Sequence, residues 1–260
     1  MTYSALLSRI QSRYQRTVTS FVFRRTIKMS DRVPYISFTF DDFPCSALHV
    51  GGAILTQFGL RGTYYASFGL MGTKAPTGRI FVEEDLTELL MQRHELGCHT
   101  FSHCNSWETN SISFEDSIVK NRDMLGKLVP GAEFASLAYP ICGPRLDTKR
   151  RAAKYFRCCR GGGQKLNVGA IDLNLLNAFF LEKSRHDPNS VKEMIKRNSQ
   201  ACGWLIFGTH DISDTPTPFG CTPSFFEEIV RSSVESGARI LPVSEALTSI
   251  YADTKSSIQV

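Results

Sequence analysis

From Tyr35 to Phe40 apolar and hydroxyl side chains alternate, and aromatic or β-branched residues fill most positions, a pattern that predicts a strand. The run ends in Asp41-Asp42 and is closed by Pro44. The same succession of apolar run, polar break and helical period then recurs along the chain. Helices are expected over 51–59, 82–96, 114–128, 147–155, 190–201, 223–236 and 243–251. The second of these carries Glu83, Glu84 and Asp85 in its first turn, with Leu86, Leu89 and Leu90 on one face, and Gly97 stops it. Strands are expected over 61–68, just ahead of His99, and over 134–139, 156–159, 178–183, 203–208 and 239–241. Residues 69–79, rich in glycine, read as a loop. So does Gly161-Gly162-Gly163, which lacks the Lys-Ser/Thr of a phosphate loop. Strands alternating with helices in this way predict an α/β fold, a distorted (β/α)7-8 barrel with its function on loops at the C-terminal ends of the strands.

An extra N-terminal amphipathic helix precedes this pattern. Leu7, Ile10, Tyr14, Val18 and Phe21 form one stripe, with Arg9, Arg13 and Arg16 opposite. Residues 1–30 are therefore set apart as a basic extension, and 31–260 as the main domain. The extension is expected to lie over the domain or against a second subunit, as in a homo-oligomer; attachment to an anionic membrane surface is the alternative.

Composition narrows the classes without choosing among them. The chain has 260 residues, 42% hydrophobic and 21% charged, as an ordinary globular protein does. Of the net charge of +5, the first 30 residues hold six basic side chains and no acidic one. The remainder is close to neutral, so a basic groove for nucleic acid is not expected. No apolar run is long enough to span a membrane, and the N-terminus lacks the pattern of a secretory signal, so the expected location is cytoplasmic. The eight cysteines are then expected as reduced packing residues.

Candidate chemistry gathers at the expected strand ends: Asp41-Asp42, His99, Tyr139-Pro140 and His210-Asp211. Adjacent aspartates at a strand end point different ways, so one can face a metal while the other faces a reacting water. His99 and His103, four apart, can meet one ion across a helical turn. Taken alone, either feature also fits a loop opening or a pair of surface histidines. His49 and His94 are expected to be surface or helix-packing residues.

Thr39-Phe40-Asp41-Asp42, then His99-Thr100-Phe101-Ser102-His103, then Ala138-Tyr139-Pro140, then His210-Asp211, resemble the motifs of the polysaccharide deacetylase family in that family's order. The resemblance, over about 35–250, implies a metal-dependent hydrolase acting on carbon-nitrogen bonds and removing acetyl groups from an N-acetylated sugar or oligosaccharide. It implies one divalent metal ion, zinc by preference with cobalt or nickel as substitutes, held by Asp42, His99 and His103. Asp41 would be the general base and His210 the general acid. The Ile141 N–H, just past Tyr139-Pro140, would stabilise the oxyanion, with Thr100 and Ser102 supporting the histidine loop. Three departures stand out. Phe43 occupies a position that is usually glycine, narrowing the floor of the site. The segment Ser136 to Pro140 lacks the arginine that orients the base, and Arg185 is expected to replace it. The Trp/Asp motif that tunes the catalytic histidine has no clear counterpart, Asp172 and Glu182 being the candidates. Phe43, Trp107 and Phe219 are expected to stack on a sugar or close a small pocket. The remaining readings are a metal-dependent amidohydrolase acting on a small non-carbohydrate amide or cyclic imide, and a catalytically silent carbohydrate-binding or structural homologue.

Overall fold

The computed structural model describes residues 17–29, 32–141 and 143–256. Eight short strands build the main sheet: β1 (Tyr35–Phe40), β2 (Thr63–Ala66), β3 (Glu95–Cys98), β4 (Ser136–Ala138), β5 (Cys158–Arg160), β6 (Phe179–Phe180), β7 (Trp204–Thr209) and β8 (Arg239–Ile240). Their spatial order is β6-β7-β1-β2-β3-β4-β5, with β8 added beside β1, and every pairing is parallel. That cyclic order is the one a (β/α) barrel has. Among the described residues no ladder joins β5 to β6, and Arg160 instead bridges Leu176 ahead of β6, so the wall is distorted there.

Every residue of β1 and β7 is buried, as expected for strands covered on both faces. Phe38, Phe40, Phe207 and Phe226 interlock, with ring centroids 5.4 to 5.7 Å apart in three of their pairings. Gly97 lets β3 approach β2, since a Cβ there would lie 2.4 Å from the Tyr65 ring. The helices start where their caps dictate. Asn110 accepts from the N–H groups of Ile112 and Ser113 ahead of Ser111–Leu128, and Asp187 and Thr222 precede the prolines that open Pro188–Ala201 and Pro223–Glu235.

Several boundaries move. The expected helix over 82–96 ends at Met91, because His94 turns inward: its Nδ1 accepts from the Gly62 N–H at 3.0 Å and its ring packs edge-on against Tyr64. It is buried, not a surface residue. The expected strand over 178–183 shortens to β6 followed by a 3-10 turn, Leu181–Ser184. The 69–79 loop contains a small hairpin, Lys74–Ala75 against Gly78–Arg79.

Most of the expected N-terminal helix falls in residues 1–16, outside the described residues. Of its apolar stripe, Val18 is half-buried and Phe21 is exposed. Beyond it, Thr26–Lys28 pairs antiparallel with Ala170–Asp172. Asp172 fastens this corner: its carboxylate accepts from the N–H groups of Arg25 and Asn174 and pairs with the buried Lys149 at 2.7 Å. The Lys149 ammonium also donates to the carbonyls of Thr19 and Val22. Among the described residues no helix is long and apolar enough to cross a membrane.

Candidate active site

The strands' C-terminal ends open into one cavity of about 730 Å³, lined from β1 by Asp41 and Asp42, from the loop after β3 by His99 and His103, and from the loop after β4 by Tyr139 and Ile141. Phe180 and Glu182 enter from β6 and the turn behind it, His210 from the end of β7, and the 74–79 hairpin forms a side wall with Lys74 and Thr77.

Asp42, His99 and His103 converge, each offering a ligand atom within 4.8 Å of the others. The Asp42 Oδ1 lies 3.6 Å from His99 Nε2 and 3.2 Å from His103 Nε2. This Oδ1 is buried and accepts no hydrogen bond, while Oδ2 accepts from the Thr77 hydroxyl at 2.9 Å. His99 Nδ1 sits 2.8 Å from the Ala138 carbonyl, so the N–H is on Nδ1 and the Nε2 lone pair faces Asp42. Burial pushes the His99 imidazole down to about 4, which keeps it neutral. Two imidazole nitrogens and one carboxylate oxygen around an orphaned acceptor are the donor set of a divalent metal site with open positions. The residues fit the ion. The Thr100 hydroxyl closes their loop by accepting from the Cys104 N–H, whereas Ser102 contributes its backbone, donating to the Ser117 hydroxyl.

The backbone here is unusual. Asp42 (φ 62), Phe43 (φ 53), Thr100 (φ 58), His103 (φ 50) and Ile141 (φ 64) are all left-handed without being glycine. Such conformations cost free energy and gather where a side chain must be aimed against local preference. At position 43 this explains the family's glycine. The phenylalanine adopts the glycine-like angle, and its buried ring stacks on Phe81 at 4.6 Å, away from the cavity. The expectation that Phe43 floors the site is thus corrected. Trp107 does not line the cavity either, because its indole N–H donates to the Gly143 carbonyl. The aromatic walls are Tyr139, Phe180 and Phe219.

The base candidate is held by an arginine other than the expected one. Arg160, at the end of β5 and 1% exposed, donates to Asp41 Oδ1. Burial alone would raise the Asp41 carboxyl, but Arg160, followed by His99 and His210, outweighs it and holds the group below its ordinary value. Arg185 points elsewhere, donating to the Thr217 carbonyl at 3.1 Å and to His186, so it braces the loop that carries Phe219. The signal for Arg160 lay in its place: it directly precedes the glycine run that ends a strand, as the other candidates end theirs. Reading the strand as ending at Cys159 hid it.

His210 Nδ1 lies 3.2 Å from the Phe219 carbonyl, leaving Nε2 for a ligand, and its ring stands between Phe180 and Phe219 at 6.2 and 5.6 Å. Asp211 turns away to accept from the N–H and hydroxyl of Thr217, and Asp172 belongs to the N-terminal corner. Glu182 is the acidic candidate that does reach the cavity, and burial pushes it up to about 7. The Ile141 N–H donates to no described residue. A second convergence, His49 with Asp85 and Glu88, lies outside the cavity; both Asp85 oxygens are engaged there, by His49 on one side and by Cys45 and the Val82 N–H on the other.

Residues 28–157, half of the chain, match the family model described as polysaccharide deacetylase. No curated protein sequence matches significantly. Among solved structures, the fold is similar to a CE4 family pseudoenzyme from Bacillus anthracis (12% identity, 83% of this chain and 66% of that one, TM-score 0.59). It is also similar to the peptidoglycan deacetylase PdaC from Bacillus subtilis (14% identity, 88% and 97%, TM-score 0.57) and to a family 4 carbohydrate esterase from Streptomyces lividans in complex with acetate (14% identity, 80% and 91%, TM-score 0.55). The cyclic strand order, the aspartate pair on β1 and the match over half of the sequence agree, and the chain belongs to the polysaccharide deacetylase family.

Proposed function

We propose that the protein is a metal-dependent hydrolase that removes acetyl groups from an N-acetylated sugar. The observation that carries this reading is the orphaned Asp42 Oδ1 facing the Nε2 atoms of His99 and His103, beside an Asp41 kept ionised by Arg160. Asp42, His99 and His103 would hold the ion, which when bound polarises the acyl carbonyl and acidifies the attacking water. Zinc suits these ligands, and cobalt or nickel would serve. Asp41 takes the proton of the water as its oxygen bonds to the acyl carbon. The Ile141 N–H, just past Tyr139-Pro140 in a left-handed turn at the cavity, would stabilise the developing oxyanion. His210 Nε2 gives a proton to the amine nitrogen as the C–N bond breaks, since an unprotonated amine is a poor leaving group. The Phe219 carbonyl fixes the ring that does so.

The test is acetate release from N-acetyl chito-oligosaccharides by zinc-loaded protein, with acetanilides and a cyclic imide as the alternative substrates. Release from the sugar, lost in Asp41→Asn with metal content unchanged, supports the reading. Turnover of the amide or imide alone would transfer the same chemistry to a small non-carbohydrate substrate. Stoichiometric metal without turnover of any substrate would mark a silent homologue like the Bacillus anthracis pseudoenzyme.

A further inference from the structure

Among the side chains lining the cavity, two described oxygens are buried without a hydrogen-bond partner: Asp42 Oδ1 and Glu182 Oε2. An ion held by Asp42, His99 and His103 would account for the first. No described residue donates to the second, and a dry carboxyl oxygen without a donor costs free energy that a native site rarely leaves unrecovered.

We infer that Glu182 is a specificity residue, accepting a hydrogen bond from a ring hydroxyl of the sugar on the side of the departing amine. The placement supports this. Glu182 stands in the 3-10 turn after β6, two residues beyond Phe180, whose ring lies against His210. That wall is where the amine must lie to be protonated. The charges acting on Glu182 are His210, Asp41 and Lys183, and none of them supplies a hydrogen bond to Oε2. A sugar presents hydroxyl donors beside its amide; a simple anilide presents none. The elevated affinity of the carboxyl for a proton agrees with a group dried by burial and waiting for a donor. The inference rests on the deacetylase reading and adds to it the feature by which a sugar is told from a small amide.

The experiment compares wild type, Glu182→Ala and Glu182→Gln on an N-acetyl chito-oligosaccharide and on p-nitroacetanilide across pH. Calorimetric binding of the oligosaccharide is measured in an Asp41→Asn background with and without Glu182→Ala. Loss of the contact lowers kcat/KM for the oligosaccharide about 10- to 100-fold, mainly through KM, with the anilide unchanged within about twofold. Glutamine keeps a carbonyl acceptor and gives a smaller loss, with neither limb of the pH profile moved. Equal losses on both substrates, or a moved limb, would mean that the carboxyl acts through His210 or Asp41 and would overturn the inference, as would no loss. A wild type that turns over neither substrate counts against the deacetylase reading. Binding then decides the role of Glu182: weakening by Glu182→Ala supports it, and unchanged or undetectable oligosaccharide binding overturns it.

Discussion

At the residue scale the site is governed by how two adjacent carboxylates are given different surroundings. Asp41 is desolvated beside a guanidinium, and Asp42 is desolvated beside two imidazoles and a hydroxyl. Replacing Arg160 by Met leaves the burial of Asp41 uncompensated, so its folded-state pKa rises. The acidic limb of the pH–kcat/KM profile then moves to higher pH and neutral activity falls about 100-fold or more. A profile that keeps its limb would remove Arg160 from the mechanism. Thr77→Val deprives Asp42 of its orienting donor and should weaken zinc binding about 10- to 100-fold, read by competition with a chelating dye. His94 gives a stability prediction of opposite origin. Burial, then the charge of Arg61, lowers it to about 4 from an ordinary value of 6.5, and its Nδ1 must stay unprotonated to accept from Gly62. The unfolded chain takes up that proton first, so stability is intact above about pH 6.5 and declines toward pH 4, by roughly 3 kcal/mol at most. Chemical denaturation at stepped pH should show this decline, and His94→Gln should flatten it.

Elements explain what the chain made legible and what it concealed. β1 and β7 announce themselves because apolar runs end in titratable residues, which marks Asp41, Asp42 and His210; His99 and His103 stand out by their four-residue spacing, and the division of the five into metal ligands, base and acid comes from the family resemblance. Strands of two or three residues, such as β5 and β6, lie below what periodicity resolves, and with them went Arg160 and the placement of Glu182. Phe43 was misplaced for another reason. Its direction is set by a left-handed backbone angle that no residue pattern encodes. The pairing of Thr26–Lys28 with Ala170–Asp172 joins segments far apart in sequence, and its fastener, Lys149, reads in the chain as one more basic residue of a surface helix. Lys149→Met leaves the buried Asp172 without its cation and two carbonyls without a donor, and should cost about 3 kcal/mol. Limited proteolysis should then cut ahead of Thr26 sooner than in wild type. Unchanged cleavage would show that the corner is held by its strand pairing instead.

For the whole molecule an ion held by Asp42, His99 and His103 would be a structural tie as well as a reagent. Its three ligands come from two strands' ends, so zinc should raise the melting temperature in proportion to the logarithm of its concentration, and His103→Ala should abolish that dependence. An unresponsive wild type would argue against an ion at this site. The barrel's cyclic order also fixes which charges can meet: β5 is an edge of the sheet and β1 lies four strands along from it, yet Arg160 reaches Asp41 across the interior. A guanidinium on β5, paired in register with Ala138 of β4, puts a positive charge beside the base while absent from the place in the linear motif where the family resemblance expects it. A search for the base's arginine by motif letters alone therefore passes over chains of this kind. The sound criterion is a positive charge at the base in three dimensions, whichever strand delivers it.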